Sequence, residues 1–196
     1  SVYFGRLIKN TLLISIYSLI IGFPIPIIFA LLLNEIKDGP FKRVTQTISY
    51  LPHFISVVVV VGLLFNFLSP IDGVVNVLLK SMGKDAINFM SEPGWFRTLY
   101  IGSNIWQNFG WDSIIYLAAL SSVDPQLYEA AQIDGAGKFK QMLHVTLPAI
   151  MPTIIILLIM NVGNIMNVGF EKIILMYSPA TYETADVIST YVYRRG

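Results

Sequence analysis

Cysteine is absent from all 196 residues, so neither a disulfide framework nor a thiolate metal site is open to this chain. Histidine is nearly absent. His53 and His144 stand 91 residues apart, neither has carboxylates or histidines at ligand spacing, and no metal is expected. Charge is scarce too, at 13% of residues against about 25% in an average soluble domain. The formal net charge is +1, which removes a nucleic-acid binder from consideration. A phosphate-cradling P-loop is missing: Gly137-Lys138 has Gln132 where the first glycine belongs and Phe139 where Ser or Thr should hold magnesium. No Ser/His/Asp arrangement can be read either. A soluble enzyme, a disordered chain and an ATPase are excluded together.

What is present is apolar surface. Hydrophobic residues make up 55% of the chain and the mean hydropathy is +0.65. Four windows hold no charge or one: Asn10–Leu33 (24 residues), Val44–Leu68 (25), Thr98–Val123 (26, with Asp112) and Val145–Gly169 (25). Each exceeds the roughly 20 residues a helix needs to cross a bilayer. Lipid leaves no backbone polar group unpaired, so spans are helices or closed barrels, and continuous runs of this length are unlike alternating barrel strands. The expectation is an all-α membrane protein with spans at 10–33, 44–68, 98–123 and 145–169, in one unit covering 1–196. The third span is marginal, because Asp112, Asn104, Gln107 and Asn108 offset its apolar residues on the insertion scale, and it belongs inside a bundle. Pro24, Pro26, Pro52, Pro148 and Pro152 are expected to kink or start spans.

The connections differ in length. Residues 34–43 and 124–144 share one side and hold five Lys/Arg in 31 residues; the other eight of the thirteen are spread more thinly, so the positive-inside rule leans toward a cytoplasmic place for these two. The long connection, 69–97, then lies outside. Within it Gly73 and Gly83 bracket Val74, Val75, Leu78, Leu79 and Met82 on one helical face, a short helix expected along the membrane surface.

Connection 124–144 is the most informative. Asp124-Pro125 reads as a helix start, a side-chain acceptor followed by a ring that presets φ. The helix should reach about Ile133, break at Gly135 and Gly137, and resume as a second short helix through Lys138–Leu143 toward Leu147-Pro148. The tip of this angled projection presents Phe139 and Met142 among Lys138 and Lys140, a shape suited to a groove in a soluble partner.

Here the sequence resembles a known family. Glu129-Ala130-Ala131, three residues, Gly135, nine residues, then Val145-Thr146-Leu147-Pro148 resembles the EAA loop of type I ABC importer permeases, departing only in Val145 for Ile. Asn10-Thr11-Leu12, Leu51-Pro52, and Gly73 with Asn76 are similar to the same core. Tyr50–Ser56, Gly110-Trp111, Tyr116–Ala119 and Gly169–Glu171 look like permeases for oligosaccharides and polysaccharide fragments, of the lipoprotein B, pectin-fragment and alginate types.

The resemblance implies the type I importer transmembrane fold (MetI-like), with this chain holding spans two to five of six. It implies a multi-pass place in the bacterial cytoplasmic membrane, with both chain ends outside the cytoplasm. Glu129, Ala130, Ala131, Asp134, Gly135, Gly137, Lys138, Phe139, Met142, Leu147 and Pro148 would form the ATPase-coupling loop. The implied partners are a second homologous permease, in a heterodimer, two ATP-binding subunits, an external solute-binding protein and an oligosaccharide. No cofactor belongs to this chain; ATP and magnesium would sit on the partner ATPase.

Polar residues recur inside the apolar windows. Asn104, Asn108 and Asp112 lie on one helix face within about 80°; Asn161, Asn164 and Asn167 drift over about 120°, with Glu171 beyond them. One reading is a hydrated sugar path lined by Asn104, Asn108, Asp112, Asn161, Asn164 and Glu171, with Trp111 and Phe170 stacking on rings. The other is amide bonding between helices, worth roughly 0.6 to 2 kcal/mol a pair. A rival function, an ion-coupled secondary transporter, would rest on Asp112 alone.

Overall fold

The computed structural model describes residues 2–195, in which helix dominates and no strand occurs among the described residues. The first apolar window lies within a helical run of 33 residues, Tyr3–Glu35. It takes in all but the first residue of α1 (Val2–Tyr17), a π turn (Ser18–Gly22) and α2 (Pro24–Glu35). The π turn has a local cause. Pro24 has no N–H to return to the Ile20 carbonyl, and the ladder widens just before it.

The second window does not form one helix. α3 (Pro40–Tyr50) ends in a 3-10 turn over Leu51–Phe54, and α4 (Val57–Phe67) begins anew with Ser56 as its cap, the Oγ accepting from Val59 N at 3.4 Å. Pro52, inside that turn, removes the donor that would have continued α3. Residues 44–68 are therefore a broken pair, bent at the break, rather than the continuous span expected.

Gly73 introduces α5 (Val74–Ser81), and α6 (Pro93–Ser121) follows, 29 residues or about 44 Å at 1.5 Å per residue. The projection contains α7 (Pro125–Ile133) and α8 (Lys138–Gln141), which passes through a π turn (Met142–Thr146) into α9 (Leu147–Gly163). The last apolar helix thus begins at Lys138 and ends at Gly163, earlier at both ends than the expected 145–169. Short helices α10 (Phe170–Met176), α11 (Tyr182–Ala185) and α12 (Ile188–Arg195) complete the chain. Tyr3–Glu35 and Lys138–Gly163 are long and apolar enough to cross a membrane, and the bent pair is a third candidate. α6 has the length, but its polar side chains dilute it.

The chain divides into two compact units, 1–18 with 54–104 and 165–196, and 19–53 with 105–164. In the first, a buried polar lock fastens the C-terminal helices to α1. Asn10 Nδ2 donates to the carbonyls of Glu183 (2.9 Å) and Asp186 (3.0 Å), its Oδ1 accepts from Arg97, and Thr11 Oγ1 accepts from Ile188 N at 3.2 Å. The buried Asp186 carboxylate accepts from Thr190 Oγ1 at 2.8 Å and Arg194 at 2.7 Å, with Arg6 at 3.9 Å.

In the second unit, Ile27, Ala30, Leu31, Tyr116, Leu120 and Ile150 form the core, with Phe23, Met142, Leu147 and Leu157 against it. Close approach substitutes here for the hydrophobic drive that lipid does not supply. Ala30 is fully buried, and Gly110 lies so near the Ser49 carbonyl that a Cβ has no room. Phe29 meets Phe109 edge to face at 5.0 Å between centroids.

Candidate functional site

The projection between α6 and α9 is built from its caps inward. Asp124 Oδ1 accepts from Gln126 N at 2.9 Å and Pro125 opens α7, as the sequence predicts. α7 closes in a Schellman turn. Gly135 takes φ +76°, its N–H reaches the Gln132 carbonyl at 3.0 Å, and Ala136 N–H reaches the Ala131 carbonyl at 2.8 Å. A Cβ at Gly135 would meet open space, so φ rather than crowding calls for glycine there.

Beyond the turn, Gln141 is buried and its Nε2 donates to the Ala136 carbonyl at 2.7 Å. Tyr128 Oη pairs with Thr146 Oγ1 at 3.1 Å, tying α7 to the π turn, and Lys138 Nζ lies 3.4 Å from Glu35. An open cavity of about 370 Å³ is left between the two arms, lined by Ala131, Ala136, Lys140, Gln141, His144 and Val145. Glu129 is exposed and makes no side-chain hydrogen bond or ion pair among the described residues. Ala130, Asp134 and Gly137 are exposed as well, and Ala131 is half-buried. In the neighbouring connection, the hydrogen-bonded Lys42 ammonium, 2.9 Å away, holds the Asp38 carboxyl below its usual value.

The apolar tip differs from the expected one. Phe139 is 67% exposed, but Met142 packs on the core, and Ile133, 87% exposed, stands at the tip instead. Proximity to Phe139 in sequence points Met142 toward the tip, but the continuous helix turns it inward. Leu147 also packs on the core, while Pro148 is exposed at the start of α9.

The polar residues of the apolar helices separate by unit. In the second unit, Asn108 Oδ1 lies 2.9 Å from His53 Nδ1, and the His53 ring stacks on Trp111 at 4.5 Å, 1° from parallel. Asp112 is exposed one position further along α6. Asn161 and Asn164 are exposed, and their amides return to their own backbone at Leu157 (2.8 Å) and Met160 (3.0 Å). Asn164 ends α9 with φ −97° and ψ 11°, so the helical spacing read through Asn167 stops there.

In the first unit, Asn104 Oδ1 accepts from Lys172 Nζ at 2.9 Å, Phe170 meets the Tyr193 ring edge-on at 5.0 Å, and Glu171 is exposed. Two further residues take part that sequence patterns do not single out. His53, isolated along the chain, joins Asn108 and Trp111. Lys172, an ordinary charge by composition, is 4% exposed, with the Tyr100 ring 6.0 Å from its ammonium. A lysine beside the apolar run Ile173–Met176 is the available signal.

Apolar helices long enough to cross a bilayer, broken in places and carrying polar side chains, define a helical membrane protein. The chain belongs to the family of binding-protein-dependent transport system inner membrane components, whose pattern matches residues 22–193. It is 48% identical over 193 residues to the polygalacturonan/rhamnogalacturonan transport system permease protein YteP of Bacillus subtilis, covering 98% of this chain and 60% of that one. It is 46% identical to protein LplB of the same organism, covering 98% and 61%. A crystal structure of a bacterial alginate ABC transporter, in complex with an alginate pentasaccharide-bound periplasmic protein, has a chain 55% identical. It superposes with a TM-score of 0.97 over 100% of this chain and 68% of that one. The chain therefore spans about three fifths of the length of the first two relatives.

Proposed function

We propose that this chain is the core of the permease subunit of an ATP-driven importer in a bacterial cytoplasmic membrane, carrying an acidic oligosaccharide or polysaccharide fragment by alternating access. The observation that carries this is the projection at residues 124–148. It holds Glu-Ala-Ala, the glycine turn and Leu-Pro at EAA-loop spacing, on a capped, clamped scaffold whose tip is apolar. Such a tip in a rim of Lys138, Lys140 and Glu129 suits a groove in a soluble ATPase. ATP and magnesium belong to that ATPase in this reading, and a second permease and an external binding protein complete the assembly.

The substrate class rests on two relatives. One is named for polygalacturonan and rhamnogalacturonan transport, the other for alginate. The exposed Trp111, Asp112, Asn161 and Asn164, with the half-buried Asn108, remain the proposed path residues of the second unit, and Asn104, Phe170 and Glu171 those of the first. The ion-coupled alternative resting on Asp112 is not carried forward, because the family is a binding-protein-dependent one.

The test is reconstitution of the full-length complex in liposomes with its binding protein. Uronate oligomers should stimulate ATP hydrolysis and uptake, neutral oligomers should not, and proton or sodium ionophores should leave uptake intact. Uptake abolished by ionophore in the presence of ATP would overturn the reading.

A further inference from the structure

α5 is built inside out for a helix in water. Its polar centre, Asn76, is fully buried. The Asn76 amide donates to the carbonyls of Leu68 (3.1 Å), Ser69 (3.0 Å) and Ile87 (3.0 Å), and its Oδ1 accepts from Ile87 N at 2.8 Å. Lys80 also turns its ammonium back, to the carbonyls of Pro70 and Ile71 at 3.2 and 3.4 Å. The face left outside is apolar: Val74, Val77, Leu78 and Met82, preceded by Ile71, 83% exposed. Of the other two residues expected on this stripe, Val75 is half-buried and Leu79 is half-buried too.

We propose that this face of α5 lies in the interfacial layer of the bilayer, its side chains among the lipid headgroups and upper acyl chains. The proposal rests on reading α4 as part of a span. Three observations select lipid as the occupant. Asn76 fastens α5 to Leu68 and Ser69, the two residues that follow α4, so the helix is held at the level where the span leaves the membrane. Gly73 reinforces this, since a Cβ there would meet Ser69 N at 2.5 Å and the Phe67 carbonyl at 2.7 Å, and no side chain can hold the helix away. Exposed apolar side chains also recur along the chain, at Phe65 and Phe67 at the end of α4, at Ile71, and at Val74 and Val77. A short helix with such a stripe and charges beyond its edge (Asp72, Lys84, Asp85) has the make-up of an interfacial helix.

The 196 residues contain no cysteine, so nitroxide labels can be placed singly once any cysteines elsewhere in the full-length complex are replaced, with the complex held in nanodiscs of phosphatidylcholine and phosphatidylglycerol. Val74→Cys, Val77→Cys, Leu78→Cys and Met82→Cys sample the face, Lys84→Cys and Asp85→Cys the polar edge, and Val58→Cys the span. Collision with dissolved oxygen and with a water-soluble nickel chelate is then measured. Oxygen collision with nickel excluded at the four face positions, and nickel collision at Lys84 and Asp85, is the expected result. Exclusion of both probes from the face would place it under protein and overturn the proposal. Nickel collision throughout would place the face in water. Nickel access that disappears only when the binding protein is added would make it a docking surface; either outcome overturns the proposal. Nickel collision at Val58 would show instead that α4 is not in the membrane, a failure of the span reading itself.

Discussion

Gly135 separates two reasons for a glycine in the 124–148 projection, and they predict different mutant series. Its φ of +76° lies in the left-handed region, while an added Cβ meets nothing within 4 Å. The cost of a side chain is therefore conformational, about 1–2 kcal/mol for an ordinary L residue, more for a β-branched one and less for Asn, which visits this region several-fold more often. Two hydrogen bonds of the Schellman turn hang on that conformation. A bias of 1–2 kcal/mol corresponds to roughly a 5- to 30-fold loss in the population of the closed turn. Proline adds a second fault, because it removes the N–H that reaches Gln132. Binding-protein-stimulated ATP hydrolysis in proteoliposomes should fall in the order Gly, Asn, Ala, Val, with Gly135→Pro uncoupled altogether. Permease assembly, read by co-purification of the partner permease, should stay unchanged. Equal activity of Gly135→Ala and wild type would refute the conformational account. So would Gly135→Asn no better than Gly135→Ala, since a partner surface that tolerates no Cβ would then be the constraint.

Gly110→Ala should destabilise by about 1–3 kcal/mol, because its Cβ has no room beside the Ser49 carbonyl; a thermal shift of the detergent-solubilised complex reads this, and an unchanged melting temperature refutes the close approach. Asp186→Ala should cost roughly 2–3 kcal/mol, less than the 3–5 of a fully buried pair, because Arg194 and Arg6 are each about one third exposed. Protease sensitivity confined to the chain's C-terminal helices is the expected readout, and resistance equal to wild type would count against the lock. Asn104→Leu should destabilise more than Lys172→Met, because the first strands a buried ammonium and the second removes it. The reverse order in a denaturation series would show that Lys172 does not depend on Asn104.

Much of this is legible along the chain because lipid restricts the backbone so severely. All-helical structure, the Asp124-Pro125 start and the turn at Gly135 follow from local chemistry. Hydropathy does not locate the break in residues 44–68, since Val57–Phe67 continues the apolar composition across it and Pro52 alone marks the fault. Nor does it show that the last apolar helix begins at Lys138, because charge ends the window while the hydrogen-bond ladder continues. The inward turn of Met142 is hidden for the same reason. The pairing of His53 with Asn108 and Trp111, and of Lys172 with Asn104, joins residues 55 to 68 positions apart, which no local pattern encodes.

The continuity of α8 with α9 changes what the projection does mechanically. A tip joined to its span by a loop would absorb displacement in backbone rotations. Here Lys138 to Gly163 is one helical run, and the π turn at Met142–Thr146 adds a residue to the ladder without breaking it. The other arm is fastened to the same place, since Tyr128 on α7 meets Thr146 inside that turn. Within the projection the chain therefore changes direction at the glycine turn itself, between two arms that converge on one anchorage. Met142 and Leu147 flank the anchorage and pack on the core with Ile27, Leu31 and Ile150. In the proposed importer, a push on Phe139 and Ile133 then reaches α9 and the core as a rigid displacement. The sequence feature responsible is the absence of any glycine or proline between Lys138 and Leu147.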